Sequence, residues 1–449
     1  MKKAFKAYDI RGVFGRDFNL DDVYKIGFFL PKLLKSNKVL VGRDIRSSSD
    51  VIFQALTNGI TDAGADAYDM GLTTTPMVYW ATAKYGFNAS VQITASHNPK
   101  EYNGLKVSRT EALPVGFDTG LNQLREMAET EQVVVNEKKG NIHPFVFLEE
   151  YLHFIKSVKP EINEMKIAVD CSNGMASLFV KELLGDQPFY IYDEPDGSFP
   201  NHEPNPLEEE NVADLKKLVL QKNCDLGIIF DGDADRVMFV DDKGRFIRPD
   251  IMIALLGDYF NNKGRTVDVV MDIRSSKRVA QYLEKLGFRT HLWKVGRAFA
   301  ALKLRELDAV FGGELAGHYY FKDFYFSDSA FLAVMLMLDE LAHKHANGIS
   351  VSQWVDTVNG SWANSGEMNF KIERKAEAME ALKAHFTLNE KPIAFLDFDG
   401  YRVEFKDWWF NVRPSNTEPY LRFLAEAESA DILENKLEQV KQILAKFGG

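Results

Sequence analysis

The sequence predicts an α/β protein: three similar α/β mixed-sheet domains in succession, then a smaller C-terminal α+β domain. Three observations carry this reading. Short apolar runs alternate with stretches of helical spacing over the first two-thirds of the chain, the pattern of a sheet covered by helices. In three successive blocks such a run stops at a loop loaded with polar groups. Beyond them the pattern changes to short strands clustered with two helices. A length of 449 residues accommodates about three or four domains of ordinary size.

In the first block, residues 1–148, Val39–Gly42 reads as a strand and Ser48–Asp62 as a helix behind a run of N-cap residues. Ala89–Thr94 reads as a strand ending in a polar loop. In the second, residues 149–248, Lys166–Asp170 is a short strand, Asn173-Gly174 a turn and Ala176–Leu184 a helix. Asp225–Phe230 is an apolar strand that stops at an acidic loop, and Glu194–Glu210, rich in Pro, Asp, Glu and Asn, is a loop within the block. In the third, residues 249–362, strands at Val267–Asp272, Thr290–Leu292 and Ala309–Gly312 repeat the pattern with helices between. Pro144 and Pro249 lie near the joins. This is a weak internal repeat of whole domains, not a short-period solenoid. The last block, residues 363–449, has strands at Met368–Ile372, Pro392–Leu396, Tyr401–Phe405, Trp408–Val412 and Leu421–Ala425. Helices over Arg374–Phe386 and Ala430–Lys446 accompany them.

Composition narrows the function. A hydrophobic content of 45% with 27% charged residues belongs to a globular chain, not a disordered one. The net charge of −11 argues against nucleic-acid binding, and an anionic substrate would need local basic pockets. Cys171 and Cys224 fit no metal-binding spacing and are consistent with a reducing compartment. Met1–Gly12 lacks an apolar signal core, and the longest apolar run, Ala330–Leu338, is too short to span a bilayer. The expectation is a soluble cytoplasmic protein without a nucleic-acid or membrane partner.

Four loops carry chemistry. In Thr94–Pro99 the Ser96 hydroxyl stands beside the His97 imidazole, with Lys106 ten residues on. A serine needs such a base or a metal to act as nucleophile or phosphoryl carrier, although alone the stretch reads as a Ser/Asn-rich turn closed by Pro99. Asp231-Gly232-Asp233-Ala234-Asp235-Arg236 alternates three carboxylates with small residues. In an extended loop they share one side, where a cation must offset their repulsion, and all-oxygen ligands favour Mg²⁺, Mn²⁺ or Ca²⁺. A calcium EF-hand fails here: Arg236 and Asp242 stand where Gly and Glu belong. Gly312–His318 brings Glu314 and His318 as acceptor and donor for sugar hydroxyls, and by itself is equally a β-turn. Arg413–Pro419, with Arg422 nearby, combines a guanidinium, hydroxyls and an amide as a phosphate cradle, with a plain hairpin loop as the rival. Further basic candidates are Arg11, Arg43, Arg46, Lys294 and Arg297; Arg43, Arg46 and Arg297 taken singly read as surface ion pairs.

In this order the four loops, with Tyr8–Gly12 at the start, resemble the signature of the α-D-phosphohexomutase superfamily, in its phosphomannomutase/phosphoglucomutase branch. The resemblance covers the whole chain, one loop per domain. It implies four domains around a central cleft, the fourth mobile, and phosphate carried on Ser96. It implies Mg²⁺ held by Asp231, Asp233, Asp235 and a phosphate oxygen on Ser96. The phosphoryl group would pass to a hexose phosphate, giving a 1,6-bisphosphate that returns its other phosphate; hexose 1,6-bisphosphate, of glucose or mannose, would be the activator. His97 and Lys106 are the acid–base candidates, with Arg236 and Arg11 assisting. Glu314, Ala316, His318, Lys294 and Arg297 would meet the sugar. Arg413, Ser415, Asn416, Thr417 and Arg422 would hold the phosphate that is not reacting. Leu315 stands where phosphoglucosamine mutases more often carry Gln, which favours mannose and glucose phosphates. Two positions depart from the family: Ala316 where Ser is usual, and Arg297 where the segment from Trp293 usually ends in Gly-His. A guanidinium cannot replace an imidazole as a base.

Three rivals share parts of this site. A phosphoglucosamine mutase would differ in the sugar. A metal-dependent sugar phosphatase would let water reach the phosphoserine. A sugar-phosphate binding protein would lack turnover, which the full set of Ser96, three aspartates and Lys106 argues against. The sequence is compatible with a monomer or a dimer.

Overall fold

The computed structural model describes all residues except 163, 416–419 and 449. Four sheets follow one another along the chain. The first three share a plan, so the internal repeat is one of topology. Its centre is Lys38–Arg43 in the first sheet, Ile167–Asp170 in the second and Asp268–Asp272 in the third. A parallel neighbour lies on one side: Asp66–Leu72, Phe189–Ile191 and Arg289–Trp293 respectively. On the other side a second parallel neighbour, Ala89–Ile93, Leu226–Phe230 or Phe311–Gly313, ends in a loop. The chain then returns antiparallel beside it as Tyr102–Arg109, Val237–Asp241 or Tyr319–Phe321. The serine, acidic and Gly-Glu loops are thus the same connection in three copies. Strands buried on both faces read as continuous apolar runs, as Leu226–Phe230 does; the equally buried Ala89–Ile93 instead carries Ser90 and Gln92, which bond to Thr82 and Thr73.

The helices follow from local chemistry. Ser49–Asp62 begins after Ser48 and buries Ile52, Phe53, Leu56 and Ile60. Thr75–Lys84 starts with the Thr74 hydroxyl accepting from Met77 N–H and Pro76 in its first turn, where a missing N–H costs nothing. The expected helix over Ala176–Leu184 is two pieces, a 3₁₀ turn Met175–Leu178 and a helix Val180–Leu184, broken where Phe179 takes φ −130°.

The fourth sheet is antiparallel throughout: Ala363–Asn364, Leu421–Ala427, Trp408–Pro414, Tyr401–Glu404 and Ala394–Leu396 in order, with Met368–Phe370 also along Leu421–Ala427. Helices Lys375–Asn389 and Ala430–Leu444 cover it. One large apolar core runs through the first three units, from Trp80 and Tyr151 through Phe230 to Phe311 and Trp354. The fourth has its own, around Phe386, Trp408, Phe410 and Phe423. No helix among the described residues is long and apolar enough to cross a membrane.

Candidate active site

Ser96 is buried and sits at φ +52°, a left-handed conformation that costs an L-residue about 1–2 kcal/mol. Arg46 holds it there. Its guanidinium donates to the carbonyls of Ser96 (2.8 Å), Asn98 (2.6 Å), Pro99 (2.7 Å) and Tyr102 (3.1 Å), and pairs with Asp44. The expectation of a surface ion pair at Arg46 is therefore corrected: the side chain is fully enclosed and is the keystone of the serine loop. Arg43 does pair, with Asp50 and Asp69. Arg11 donates to Asn98 (2.8 Å) and to Asp9, and its buried Nε has no hydrogen-bond partner among the described residues.

The acidic loop meets the serine loop directly. Ser96 Oγ donates to Asp231 Oδ2 at 2.9 Å and lies 3.3 Å from His97 Nδ1. Gly232 permits the approach, since a Cβ there would stand 2.5 Å from the Ser96 carbonyl oxygen. The first unit grips the loop again through Thr75, whose N–H donates to the Asp233 carbonyl at 3.0 Å and whose hydroxyl donates to the Asp233 carboxylate. Lys106 pairs with Oδ2 of Asp233 (2.7 Å) and Oδ2 of Asp235. Burial alone would lower the Lys106 pKa, but those two carboxylates outweigh it and hold the ammonium well above its ordinary range.

The donor set fits a hard cation. Asp231, Asp233 and Asp235 are buried and each offers an oxygen within 4.8 Å of the others. Burial, reinforced by Asp233 and Asp235, pushes Asp231 well above the usual carboxylate range. Among the described residues, Oδ1 of Asp233 and Oδ1 of Asp235 have no hydrogen-bond partner. Lys106 occupies the Oδ2 side, so the orphaned Oδ1 side remains for a metal, and buried acceptors without partners are too costly to be incidental. His97 is the opposite case from Lys106: burial, then the nearby Arg236, Arg11 and Lys106, keep it well below the usual imidazole range and hence neutral.

The third loop adds further groups. Glu314 is buried and accepts from Tyr320 Oη (2.6 Å) and Gly296 N–H (3.2 Å), and burial raises its pKa. His318 Nδ1 lies 2.7 Å from Asp328 Oδ2, and its Nε2 accepts from Arg236 Nε at 3.0 Å. The sequence assigns His318 to a sugar hydroxyl, whereas here both nitrogens have protein partners. Arg297 likewise donates to Asp328 (3.0 Å) and to the Ala112 carbonyl (2.9 Å) and covers the Tyr79 ring. The Lys294 ammonium lies over the Phe299 ring at 5.4 Å. Ala316 sits partly buried between Leu315, whose N–H is tied to Asp272 (2.7 Å), and Gly317.

From the fourth unit, Arg413 is buried against Asp399 at 3.3 Å, and Asp399 also accepts the Val295 N–H at 2.8 Å. Tyr8 Oη donates to the Val295 carbonyl at 3.1 Å, so the first, third and fourth units converge there. Arg422 pairs with Glu367 (3.0 Å), which also holds Arg274 (3.2 Å). Ser415 N–H donates to the Tyr420 carbonyl, while Asn416 and Thr417 lie outside the described residues.

Sequence reasoning missed Thr75, Asp328, Tyr320 and Asp399, lone residues outside any motif. Arg46 and Arg274 had a signal: each follows an Asp at i−2 just beyond a central strand, in Asp44-Ile45-Arg46 and Asp272-Ile273-Arg274.

Comparison with known proteins gives the family. Residues 2–133, 149–244 and 248–359 match phosphoglucomutase/phosphomannomutase alpha/beta/alpha domains I, II and III, and residues 367–443 match the C-terminal domain. The chain is 36% identical to a phosphomannomutase of Vibrio cholerae serotype O1 over 99% of this chain and 98% of that protein. It is 35% identical to a phosphomannomutase of Methanocaldococcus jannaschii, with the same two coverages. A crystal structure of a phosphoglucomutase/phosphomannomutase family protein from Burkholderia thailandensis superposes with a TM-score of 0.87 at 26% identity, over 100% of this chain and 98% of that one. With all four domains in order and full-length likeness to phosphomannomutases, the chain belongs to the phosphoglucomutase/phosphomannomutase family, as a phosphotransferase of the mutase kind.

Proposed function

We propose that this chain interconverts the 1- and 6-phosphates of mannose and/or glucose by way of a phosphoserine at Ser96 and a hexose 1,6-bisphosphate. One observation carries this: Ser96 Oγ lies within hydrogen-bond reach of both Asp231 and His97, so a phosphoryl carrier, an acidic metal loop and a base meet at one atom. Asp231, Asp233 and Asp235 would hold Mg²⁺ together with an oxygen of the phosphoserine. Bound there, it supplies Lewis acidity toward the phosphoryl oxygens.

The protonation states match phosphoryl return to Ser96. The Ser96 Oγ–P bond forms as the sugar O–P bond breaks. Neutral His97, 3.3 Å away, takes the serine proton, and the Lys106 ammonium gives one to the departing sugar oxygen. In the other direction the sugar hydroxyl attacks the phosphoserine and the same two groups exchange roles. Arg11 and Arg236 add positive charge at the phosphoryl group, as such a transfer requires. Glu314, Lys294 and the backbone at Ala316 are assigned to the sugar side, while His318 and Arg297 are engaged by protein partners behind it. Arg413, Ser415, Asn416, Thr417 and Arg422 are assigned to the phosphate that is not reacting, which leaves the cradle tolerant of the sugar. Domain limits at 1–148, 149–248, 249–362 and 363–449 go with this reading, and each sheet falls within one of them.

The test is a coupled assay with Mg²⁺ and a trace of hexose 1,6-bisphosphate, run on mannose 1-phosphate and glucose 1-phosphate while scoring free phosphate. Formation of 6-phosphates, lost with EDTA and regained with Mg²⁺, is expected. Free phosphate in their place would make the chain a phosphatase, and no conversion of either sugar would sink the proposal.

A further inference from the structure

Among the described residues Arg297 pairs with Asp328 and with none of Asp231, Asp233 and Asp235. Its side chain is a strut, and what it braces leads back to the metal loop. Its Nε donates to Asp328 Oδ1 (3.0 Å), its Nη2 to the Ala112 carbonyl (2.9 Å), and its guanidinium carbon lies 3.5 Å from the centre of the Tyr79 ring. Ala112 and Tyr79 belong to the first unit and Arg297 to the third, so the strut crosses between them. Asp328 is wholly buried, and its second oxygen meets His318 Nδ1 at 2.7 Å. A carboxylate only accepts, so His318 carries its proton on Nδ1. Its Nε2 lone pair then accepts from Arg236 Nε at 3.0 Å. Arg236 makes no hydrogen bond through either Nη among the described residues, so its fork is aimed by the histidine and left to an anion.

We infer that Arg297 and Asp328 are positioning residues that set the His318 tautomer and thereby aim Arg236 at the phosphoryl group, and that Arg297 is not a substrate contact. The inference deepens the mutase reading and rests on it. If His318 lost Asp328, either nitrogen could take the proton, and an Nε2–H would repel Arg236 Nε. Because the strut ends on the first unit, the aim of Arg236 reports correct seating of the serine-bearing unit.

Steady-state kinetics of Arg297→Gln, Arg297→Lys, Asp328→Asn and the Arg297→Gln/Asp328→Asn pair test this, alongside ¹⁵N NMR of the His318 imidazole. Second-layer partners of this kind are worth about 10–100-fold. Arg297→Gln and Asp328→Asn should each lower kcat by about that factor while KM moves less than about two-fold, the pattern of an interaction made in the transition state. Arg297→Lys should recover part of the loss. The double variant should be no worse than Asp328→Asn alone, since members of one chain do not add. The wild-type His318 should be the Nδ1–H tautomer, and Asp328→Asn should mix it. A large rise in KM at unchanged kcat, additive losses, or an Nε2–H wild type would overturn the inference. A wild type without mutase turnover but with the Nδ1–H tautomer would remove the mutase reading and leave the positioning chain standing.

Discussion

The three α/β units and the fourth unit are joined to their neighbours by different physics. The first three share a continuous apolar core, so burial of hydrophobic area holds them as one body. The fourth keeps its core to itself and meets the third through enclosed polar groups. Arg402 donates to the carbonyls of Ile273 (2.7 Å) and Ser275 (2.6 Å) while stacked on Trp409. Glu426 accepts from Ser276 (2.6 Å), Trp409 (2.9 Å) and Arg248 (3.1 Å). Non-directional burial fixes the parts that hold the serine, acidic and Gly-Glu loops in register. A directional joint sets one docking angle through the placement of its donors and acceptors.

The comparison can be broken from either side. On the body side, Ser96→Ala should lower kcat on the order of 10⁶-fold, the scale of losing a nucleophile, while sugar-phosphate binding by calorimetry persists. Retained wild-type turnover would falsify the phosphoserine. Gly232→Ala places a methyl against the Ser96 carbonyl, overpacking that costs about 1–3 kcal/mol. Displacement of the serine loop by an ångström should cost about 10²-fold in kcat, and a full-rate variant would show that the two loops need not touch. On the fourth-unit side, the proposed assignment makes Arg413→Ala the loss of a charged phosphate donor worth about 1.5–3 kcal/mol, so KM should rise by roughly 10-fold or more with kcat nearly kept. A loss confined to kcat would place Arg413 in the chemistry instead. Smallest in kinetic effect, Arg402→Met should split the calorimetric trace: an early transition for the fourth unit and an unmoved one for the body. A single transition shifted as a whole would mean that the joint is as cooperative as the core.

Legibility in the sequence follows the same division. Strands buried on both faces, such as Leu226–Phe230 and Asp268–Asp272, announce themselves as apolar runs, and the acidic motif loop follows directly from the end of the first. The return strand Tyr102–Arg109 does not, because Asn103, Lys106, Ser108 and Arg109 interrupt any apolar pattern and pairing with Ala89–Ile93 creates the strand. The helix Thr75–Lys84 is apolar nearly all round, burying Met77, Val78, Tyr79 and Trp80, and so shows no amphipathic period to read.

What the sequence determined by itself was the chemistry: a hydroxyl beside an imidazole, three alternating carboxylates and an arginine-bearing polar loop, because residue type and near-neighbour spacing fix what a loop can bind. What only the tertiary structure decided was the use of each group. Arg46 became a keystone, Lys106 became the partner of two aspartates, and Arg297, Asp328, His318 and Arg236 became one chain. These assignments depend on contacts between residues far apart in sequence, and on burial that decides which proton each group keeps.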